Sequence, residues 1–255
     1  MQDLKVTLVQ ANQIWEDKDA NFSNYLCLIE SIIERTDLVV FPEMFDTGFS
    51  MNVELAQEWN SNTSVKFLVD IAVDKQFAIY TSLMVKDNNH FYNRGVFVYP
   101  SGEISFYDKR KSFGLGGEDK FYTAGKTETI VKYKDWKINL QICYDLRFPE
   151  IARNHEINGI PKYDLLLYVA NWPAKRSEHW KTLLKARAIE NQTCVIGVNR
   201  VGQDGNNFIY SGNSTSIDAL GLIECELKNE SVFTTTLSKL TLTNTRTSLP
   251  FLKDY

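Results

Sequence analysis

The sequence has few cysteines and histidines, no excess of basic residues and no long apolar run. Its 28 Lys and Arg against 32 Asp and Glu give a net charge of -4, so we do not expect it to bind a nucleic-acid backbone. No window approaches the roughly 20 apolar residues of a membrane span. The first residues, Met1 to Lys5, are not a charged stretch followed by an apolar run, as a signal peptide requires. We therefore expect a soluble cytoplasmic protein that does not associate with membranes.

The four cysteines are too far apart in the sequence to form a CxxC metal or redox motif. Cys27, Cys194 and Cys225 lie in or beside apolar stretches and are interpreted as small hydrophobic residues in a reducing compartment. Cys143 differs because Tyr144 and further polar residues follow it directly. It is therefore the one cysteine that we consider as a reactive group.

Apolar periodicity predicts strands and helices that alternate at both ends of the chain, with hairpins between them. With 44% hydrophobic residues in 255, the chain can build one large core. We expect a single α/β domain over residues 1–255. Strands are predicted at 5–10, 38–41, 77–85, 91–99, 104–107, 137–142, 165–170 and 194–199, with short ones near Phe208, Ser216, Leu222 and Val232. Helices are predicted at 19–35, 64–75, 148–157 and 177–191, the last capped by Ser177.

Three polar residues, Glu43, Lys109 and Cys143, each follow shortly after an apolar predicted strand. Sites in open α/β sheets assemble at the carboxyl ends of strands, so these residues can converge although they are far apart in sequence. Each alone is also explained as an ordinary solvated group or core cysteine. The three together predict a catalytic site.

A cysteine nucleophile needs a base, and none of the three histidines has a context that selects it. His155-Glu156 begins like a zinc-protease helix, but no second histidine follows at the required spacing, so that metal site is not expected. Glu43 is the better candidate for the base, and Lys109 could then stabilise an oxyanion. The alternative is His179 as the base.

The motifs around these residues resemble those of the nitrilase-type carbon–nitrogen hydrolases, whose catalytic trio is Glu, Lys and Cys. Phe41-Pro-Glu-Met-Phe-Asp-Thr-Gly48 resembles the glutamate motif, Tyr107-Asp-Lys-Arg-Lys111 the lysine motif and Cys143-Tyr-Asp-Leu-Arg-Phe-Pro-Glu150 the cysteine motif. Further matching segments are 93–95, 168–173, 186–191 and 199–202, so the resemblance covers nearly the whole chain. It implies a four-layer α-β-β-α sandwich and catalysis without a metal or organic cofactor.

Many members of this family have a second glutamate between the lysine and the cysteine. The segment Gly117-Glu-Asp-Lys-Phe-Tyr-Thr-Ala-Gly125 matches it, so the resemblance implies that Glu118 is the fourth catalytic residue, with Asp119 as the alternative if the register slips. The glycines at 114–117 are a poor match to a phosphate loop because the GxxxxGK[ST] pattern is absent.

Residues 41–51, together with Ala170-Asn-Trp-Pro173, resemble the omega-amidase branch most closely. That branch removes the terminal amide of 2-oxoglutaramate and 2-oxosuccinamate, so a cationic group for the substrate carboxylate is expected. The candidates are Arg147 and Arg176, although either could be a structural ion-pair partner. The candidates for the walls of the pocket, each also explained as core packing, are Phe113, Tyr144 and Trp172.

Three other readings remain open from the sequence. The chain could be another amide or nitrile hydrolase of the family, such as an N-carbamoyl amino acid amidase, or a non-catalytic binding subunit. The expected partner is a small-molecule amide substrate. By resemblance, the chain is also expected to form a homodimer. Contributors to the dimer are expected at 148–157, 177–191 and the tail 250–255.

Overall fold

Two large β-sheets and five α-helices make up most of residues 1–254, the part of the chain that the computed structural model describes. The first strands are β1 Leu4–Gln10, β2 Leu38–Val40, β3 Gln57–Glu58, β4 Ala78–Asp87, β5 His90–Val98, β6 Ile104–Asp108, β7 Ile130–Tyr133 and β8 Trp136–Ile142. They are followed by β9 Glu156–Ile157, β10 Ile160–Pro161, β11 Leu165–Ala170, β12 Cys194–Asn199, β13 Val201–Gln203, β14 Ile209–Ser211, β15 Thr215–Ile217, β16 Ile223–Glu226 and β17 Ser231–Leu237. The helices are α1 Lys18–Glu30, α2 Thr63–Lys75, α3 Glu118–Phe121, α4 Ser177–Asn191 and α5 Lys239–Ser248.

The first sheet has the strand order β17-β1-β2-β4-β5-β6, with β3 beside β4, and the second has the order β16-β15-β12-β11-β8-β7. Strands β1, β2 and β4 run parallel, as do β8, β11 and β12. The carboxyl ends of neighbouring parallel strands meet at one edge of a sheet. Residues 41–43 follow β2 and Cys143 follows β8. These residues therefore lie at such edges.

Alternating side chains of the first sheet enter two different cores. Leu38 and Val40 of β2 belong to the core shared with the second sheet, whereas Val39 belongs to the core beneath α1 and α2. On the far side of the second sheet, Leu184 of α4 packs over Gly197 of β12. The order of layers is therefore helix, sheet, sheet, helix, which confirms the predicted α-β-β-α sandwich.

The two sheets approach closely near β8, the strand that leads to Cys143. The Tyr80 hydroxyl of β4 donates a hydrogen bond to the carbonyl oxygen of Gln141 on β8 at 3.1 Å. Gly95 leaves room for this contact, since a Cβ atom at that position would lie 2.8 Å from the Tyr80 oxygen. The spacing between the sheets next to Cys143 thus depends on a glycine in β5.

Several predicted boundaries differ from the structure. The helix expected at 19–35 ends at Glu30, and Ile33, expected on its apolar face, is 99% exposed. Ser177 does not cap α4 but is its first residue, because a 3-10 turn at Ala174–Arg176 leads directly into the helix. The helix α5 has no counterpart among the sequence predictions.

The helix predicted at 148–157 is wrong. Only Pro149–Ala152 forms a 3-10 turn, and the chain then continues into β9. A helix does not continue past Ala152 because the side-chain amide of Asn154 instead donates hydrogen bonds to the carbonyl oxygens of Tyr163 and Asn191, at 3.1 and 2.9 Å. In the tail, Phe251–Asp254 forms a further 3-10 turn, and Tyr255 lies outside the described residues.

Candidate active site

Glu43 lies just beyond β2 and is fully buried. Its Oε1 accepts hydrogen bonds from Lys109 Nζ and from the side-chain amide of Asn93, both at 2.8 Å, and its Oε2 accepts one from the backbone N–H of Asn171 at 2.9 Å. Its backbone carbonyl accepts a further bond from Gln13 at 2.9 Å. These donors fix the carboxylate in one orientation and leave it without contact to bulk water.

Lys109 lies one residue beyond β6, and its ammonium lies between two carboxylates. The Nζ atom is 2.8 Å from Glu43 Oε1 and 2.9 Å from Glu118 Oε1, and the side chain is 3% exposed. Burial by itself lowers the pKa of Lys109, but the negative charges of Glu118 and Glu43 outweigh it and raise that pKa above its ordinary value. Lys109 is therefore a permanent cation here rather than a base.

Glu118 opens the short helix α3, directly after Gly117 in a left-handed conformation (φ 76°). Its Oε1 accepts from Lys109 and, at 3.1 Å, from Asn93, while its Oε2 accepts from the backbone N–H of Phe113 at 2.6 Å. Asp119 is exposed. The contact with Lys109 is thus made by Glu118 and not by Asp119, the alternative that the sequence left open.

Cys143 begins a 3-10 turn, Cys143–Arg147, directly after β8. Its backbone adopts a left-handed conformation (φ 45°), which costs of order 1–3 kcal/mol for a residue with a Cβ atom. Burial and the negative charge of Glu43 raise the pKa of the Cys143 thiol well above its ordinary value, while Lys109 opposes them. The thiol of Cys143 therefore holds its proton more tightly than an ordinary cysteine does.

A cavity of about 570 Å³ opens onto Cys143 and Lys109. All four residues predicted to bind substrate contribute to its lining: Phe113, Tyr144, Arg147 and Trp172. The guanidinium carbon of Arg147 lies 4.6 Å from the Trp172 ring centroid and that of Arg176, which also lines the cavity, 5.4 Å from the ring of Phe113. Neither arginine forms an ion pair with a carboxylate of residues 1–254. Two cationic groups are thus free to receive an anion.

Two asparagines at the site were not predicted as functional residues. Asn93 bridges Glu43 and Glu118, and Asn171 holds Glu43 through its backbone N–H and, through its side-chain amide, the Glu43 carbonyl. Both lie in segments that carry the family resemblance, and this was the feature of the sequence that could have identified them as functional residues. A third residue, Glu16, lines the cavity, and its carboxylate accepts a hydrogen bond from Ser50.

His179 forms no hydrogen bond with Glu43, Lys109, Glu118 or Cys143 within residues 1–254. Its Nδ1 lies 3.2 Å from Arg147 Nη2 at an exposed position, so nothing in the geometry supports it as the base for Cys143. Across residues 1–254, no group of three or more His, Cys, Asp or Glu side chains is arranged to hold a metal ion. No helix in that part of the chain is both long enough and apolar enough to cross a bilayer.

The fold and the buried Glu–Lys–Glu cluster beside a cysteine define the class of protein. The family model for carbon-nitrogen hydrolases matches residues 5–247, and the chain belongs to that family, part of the nitrilase superfamily. It is an amidohydrolase that acts on carbon–nitrogen bonds.

Similar proteins narrow this class further. The chain is 46% identical over 227 residues to an omega-amidase, YafV, of Yersinia enterocolitica, which covers 89% of this chain and 86% of that protein. It is 33% identical over 208 residues to a 2-oxoglutaramate amidase of Bacillus subtilis, covering 78% and 76%. A crystal structure of XC1258 from Xanthomonas campestris, a CN-hydrolase superfamily protein with an arsenic adduct in the active site, superimposes with a TM-score of 0.97 at 41% identity and covers 100% of this chain and 98% of that one. The resemblance to the omega-amidase branch is thereby confirmed.

Proposed function

We propose that this amidohydrolase cleaves the terminal amide of 2-oxo dicarboxylic acid monoamides, 2-oxoglutaramate and 2-oxosuccinamate, to the acid and ammonia. One observation carries the proposal: Cys143 and Lys109, whose ammonium pairs with the buried Glu43 and Glu118, line one cavity with two arginines that have no carboxylate partner among residues 1–254. The cysteine and its cluster suit acyl transfer, and the arginines suit a substrate with a carboxylate. Relatives named omega-amidase and 2-oxoglutaramate amidase support the same substrate class.

In the first half-reaction Glu43 removes the proton of the Cys143 thiol, and the sulfur attacks the amide carbon. The oxygen that becomes negative is stabilised by Lys109 and by the backbone N–H of Tyr144. That N–H is the second of the 3-10 turn and has no acceptor within the turn. Glu43 returns the proton to the leaving nitrogen, the carbon–nitrogen bond breaks, and ammonia departs from a Cys143 thioester.

In the second half-reaction a water molecule replaces ammonia. Glu43 removes one proton from the water, the resulting hydroxide attacks the thioester, and the carbon–sulfur bond breaks. The sulfur regains its proton from Glu43, and the acid is released. Glu118 acts through Lys109, which it holds at 2.9 Å, so that the cation stays in place through both oxyanions. This scheme requires no metal or organic cofactor.

Arg147 is the stronger candidate for the substrate carboxylate. It lies four residues after Cys143 in the same turn, and Trp172 and His179 hold its guanidinium from two sides. A guanidinium held in this way loses little side-chain entropy when it pairs with a carboxylate. Arg176 lies against Phe113 and is proposed as the second cation of the same subsite.

The test of the reaction is ammonia release from 2-oxoglutaramate by the wild-type protein and by Cys143→Ala. We expect turnover by the wild type and none by the variant. Glutamine, a simple nitrile and an N-carbamoyl amino acid complete the panel. Turnover of one of these instead would retain the nucleophile and refute the substrate, and a folded wild type that releases ammonia from none of them would favour the binding-subunit alternative.

The test of the carboxylate subsite compares Arg147→Met with Arg176→Met on 2-oxoglutaramate and on butyramide, which lacks a carboxylate. Arg147→Met should raise KM for the keto acid by about 10–100-fold, since a charge-assisted pair is lost, and should leave the slow turnover of butyramide unchanged. Equal effects on both substrates would refute the role of Arg147.

Two further properties are proposed for the whole protein, a cytoplasmic location and a homodimer. Of the expected dimer contributors, α4 remains a helix, and its Ile189, which lies next to Gly221, is 48% exposed. Light scattering on the wild type and on Ile189→Glu tests the dimer; a monomeric wild type would refute it.

A further inference from the structure

Asp145 is a buried carboxylate to which the proposed reaction gives no role. It lies two residues after Cys143, is fully buried and does not line the cavity. Burial is the main cause that raises its pKa to about 6, against the opposing effects of hydrogen bonds and Lys109. At neutral pH it is therefore held as an anion, a state that burial disfavours.

Three donors surround this carboxylate, and they belong to two segments of the active site. The backbone N–H of Ile142 donates to Oδ2 at 3.0 Å, directly before the nucleophile. The hydroxyl of Tyr107 donates to Oδ2 at 2.8 Å and the backbone N–H of Lys111 to Oδ1 at 3.0 Å. Tyr107 and Lys111 stand two residues before and two residues after Lys109.

No other hydrogen bond within the described chain joins residues 107–111 to residues 142–147. The ammonium of Lys109 pairs with the two glutamates, and within residues 1–254 it donates no hydrogen bond to the turn that carries Cys143. The direct hydrogen bonds between the lysine segment and the nucleophile turn are therefore all made to a single side chain, that of Asp145. Because the three groups all donate, only an acceptor with two oxygen atoms satisfies them.

We propose that Asp145 is a positioning residue that fixes the lysine segment against the nucleophile turn, so that Lys109 meets the oxyanion formed at Cys143. The inference rests on the proposed roles of those two residues. Asp145 itself touches neither substrate nor reacting atoms. A displacement of about 1 Å between reacting groups can cost about 100-fold in rate, so a loosened link should lower kcat and leave binding largely intact.

The decisive variant is Asp145→Asn, which keeps the shape of the side chain. An NH2 group in the place of Oδ1 faces the backbone N–H of Lys111, and that link between the segments is lost. An NH2 group in the place of Oδ2 faces the backbone N–H of Ile142 and takes away the acceptor of the Tyr107 hydroxyl. We expect kcat for 2-oxoglutaramate to fall about 100-fold with KM changed by less than about threefold. Tyr107→Phe removes one donor without a change of charge and should lower kcat by about 5–10-fold through the same link.

Asp164→Asn is the matched control. Asp164 is also a buried carboxylate, bound by Lys239 and Arg246, but it lies just before β11, at the end of the second sheet remote from Cys143. Its variant should lose stability and keep kcat within about threefold. A folded Asp145→Asn protein with wild-type kcat, or equal losses of kcat in both Asn variants at equal stability, would overturn the positioning role.

Alkylation of Cys143 by iodoacetamide separates this inference from the proposed substrate. Lys109 lowers the pKa of the thiol, so a displaced ammonium should slow alkylation at neutral pH by at least about threefold. The Cys143 peptide is quantified by mass spectrometry in wild type, Asp145→Asn and Asp164→Asn. If the wild type fails to hydrolyse 2-oxoglutaramate, slower alkylation in Asp145→Asn alone still supports the link, and an unchanged rate overturns it.

Discussion

Replacing Lys109 by methionine removes the only ammonium between two buried carboxylates. Glu43 and Glu118 are 0% and 1% exposed and are then left with the neutral Asn93 as their shared donor. Breaking a buried ion pair by removing one partner costs about 3–5 kcal/mol because a charge is left uncompensated. We expect a loss of that size in the free energy of unfolding of Lys109→Met at about pH 8.

The loss should depend on pH in a defined direction. Without the ammonium, one carboxyl of the pair is expected to hold a proton to a higher pH in the folded than in the unfolded chain. Stability from such a group is present at low pH and is lost as pH rises through its folded-state value. The deficit of Lys109→Met relative to wild type should therefore be small at about pH 5 and reach its full size near pH 8.

Urea unfolding at both pH values measures this deficit. Lys86→Met is the control, since Lys86 pairs with Glu58 at 2.7 Å on the surface, with 36% and 56% of the two side chains exposed; its loss should stay below about 1 kcal/mol. Adding Glu118→Gln to Lys109→Met removes one uncompensated charge and should recover about 2 kcal/mol. A deficit below about 1 kcal/mol that is equal at both pH values would refute the reasoning.

Three further outcomes are expected. Glu43→Gln removes a charge that raises the pKa of Cys143, so at neutral pH its thiol should react faster with iodoacetamide while ammonia release is lost; slower alkylation would contradict this. Gly95→Ala places a Cβ atom 2.8 Å from the Tyr80 oxygen and should lower the free energy of unfolding, measured in urea, by about 1–3 kcal/mol. An unchanged free energy of unfolding would show that the sheets can separate here without cost. Leu184→Ala opens a cavity between α4 and its sheet and should lower stability by about 2–5 kcal/mol, and a loss below that range would mean that the helix resettles.

The central strands and the candidate catalytic residues could be predicted from the sequence. The runs at Leu165–Ala170 and Cys194–Asn199 were predicted with the bounds they have, because a parallel strand buried on both faces is a continuous apolar run. Glu43 and Cys143 follow such strands, whereas Lys109 follows the antiparallel edge strand β6, and the motifs of all three carried the family resemblance. Local pattern and fold agree at these positions.

The missed elements depend on distant contacts. Helix α5 contains four threonines among ten residues, a composition that disfavours a helix, but its Arg246 pairs with Asp164 at 2.7 Å and its Leu242 is buried. The break near Asn154 depends on partners up to 37 residues away. Likewise, the bridge that Asn93 forms between two glutamates exists only once strands from distant parts of the chain are aligned.

The pairing of β17 with β1 has a consequence for synthesis on the ribosome. All seven residues of β1 pair with β17, whose first residue is Ser231, and β1 is almost wholly buried. At a synthesis rate of about 5–20 residues per second, β1 remains without β17 for on the order of ten to forty seconds. Until then the nascent first sheet ends in an unpaired apolar strand, the kind of edge that recruits strands from other chains. Chaperones that bind such edges should matter most for this enzyme during that interval. A chain truncated before β17 should aggregate although it contains Glu43, Lys109, Glu118 and Cys143.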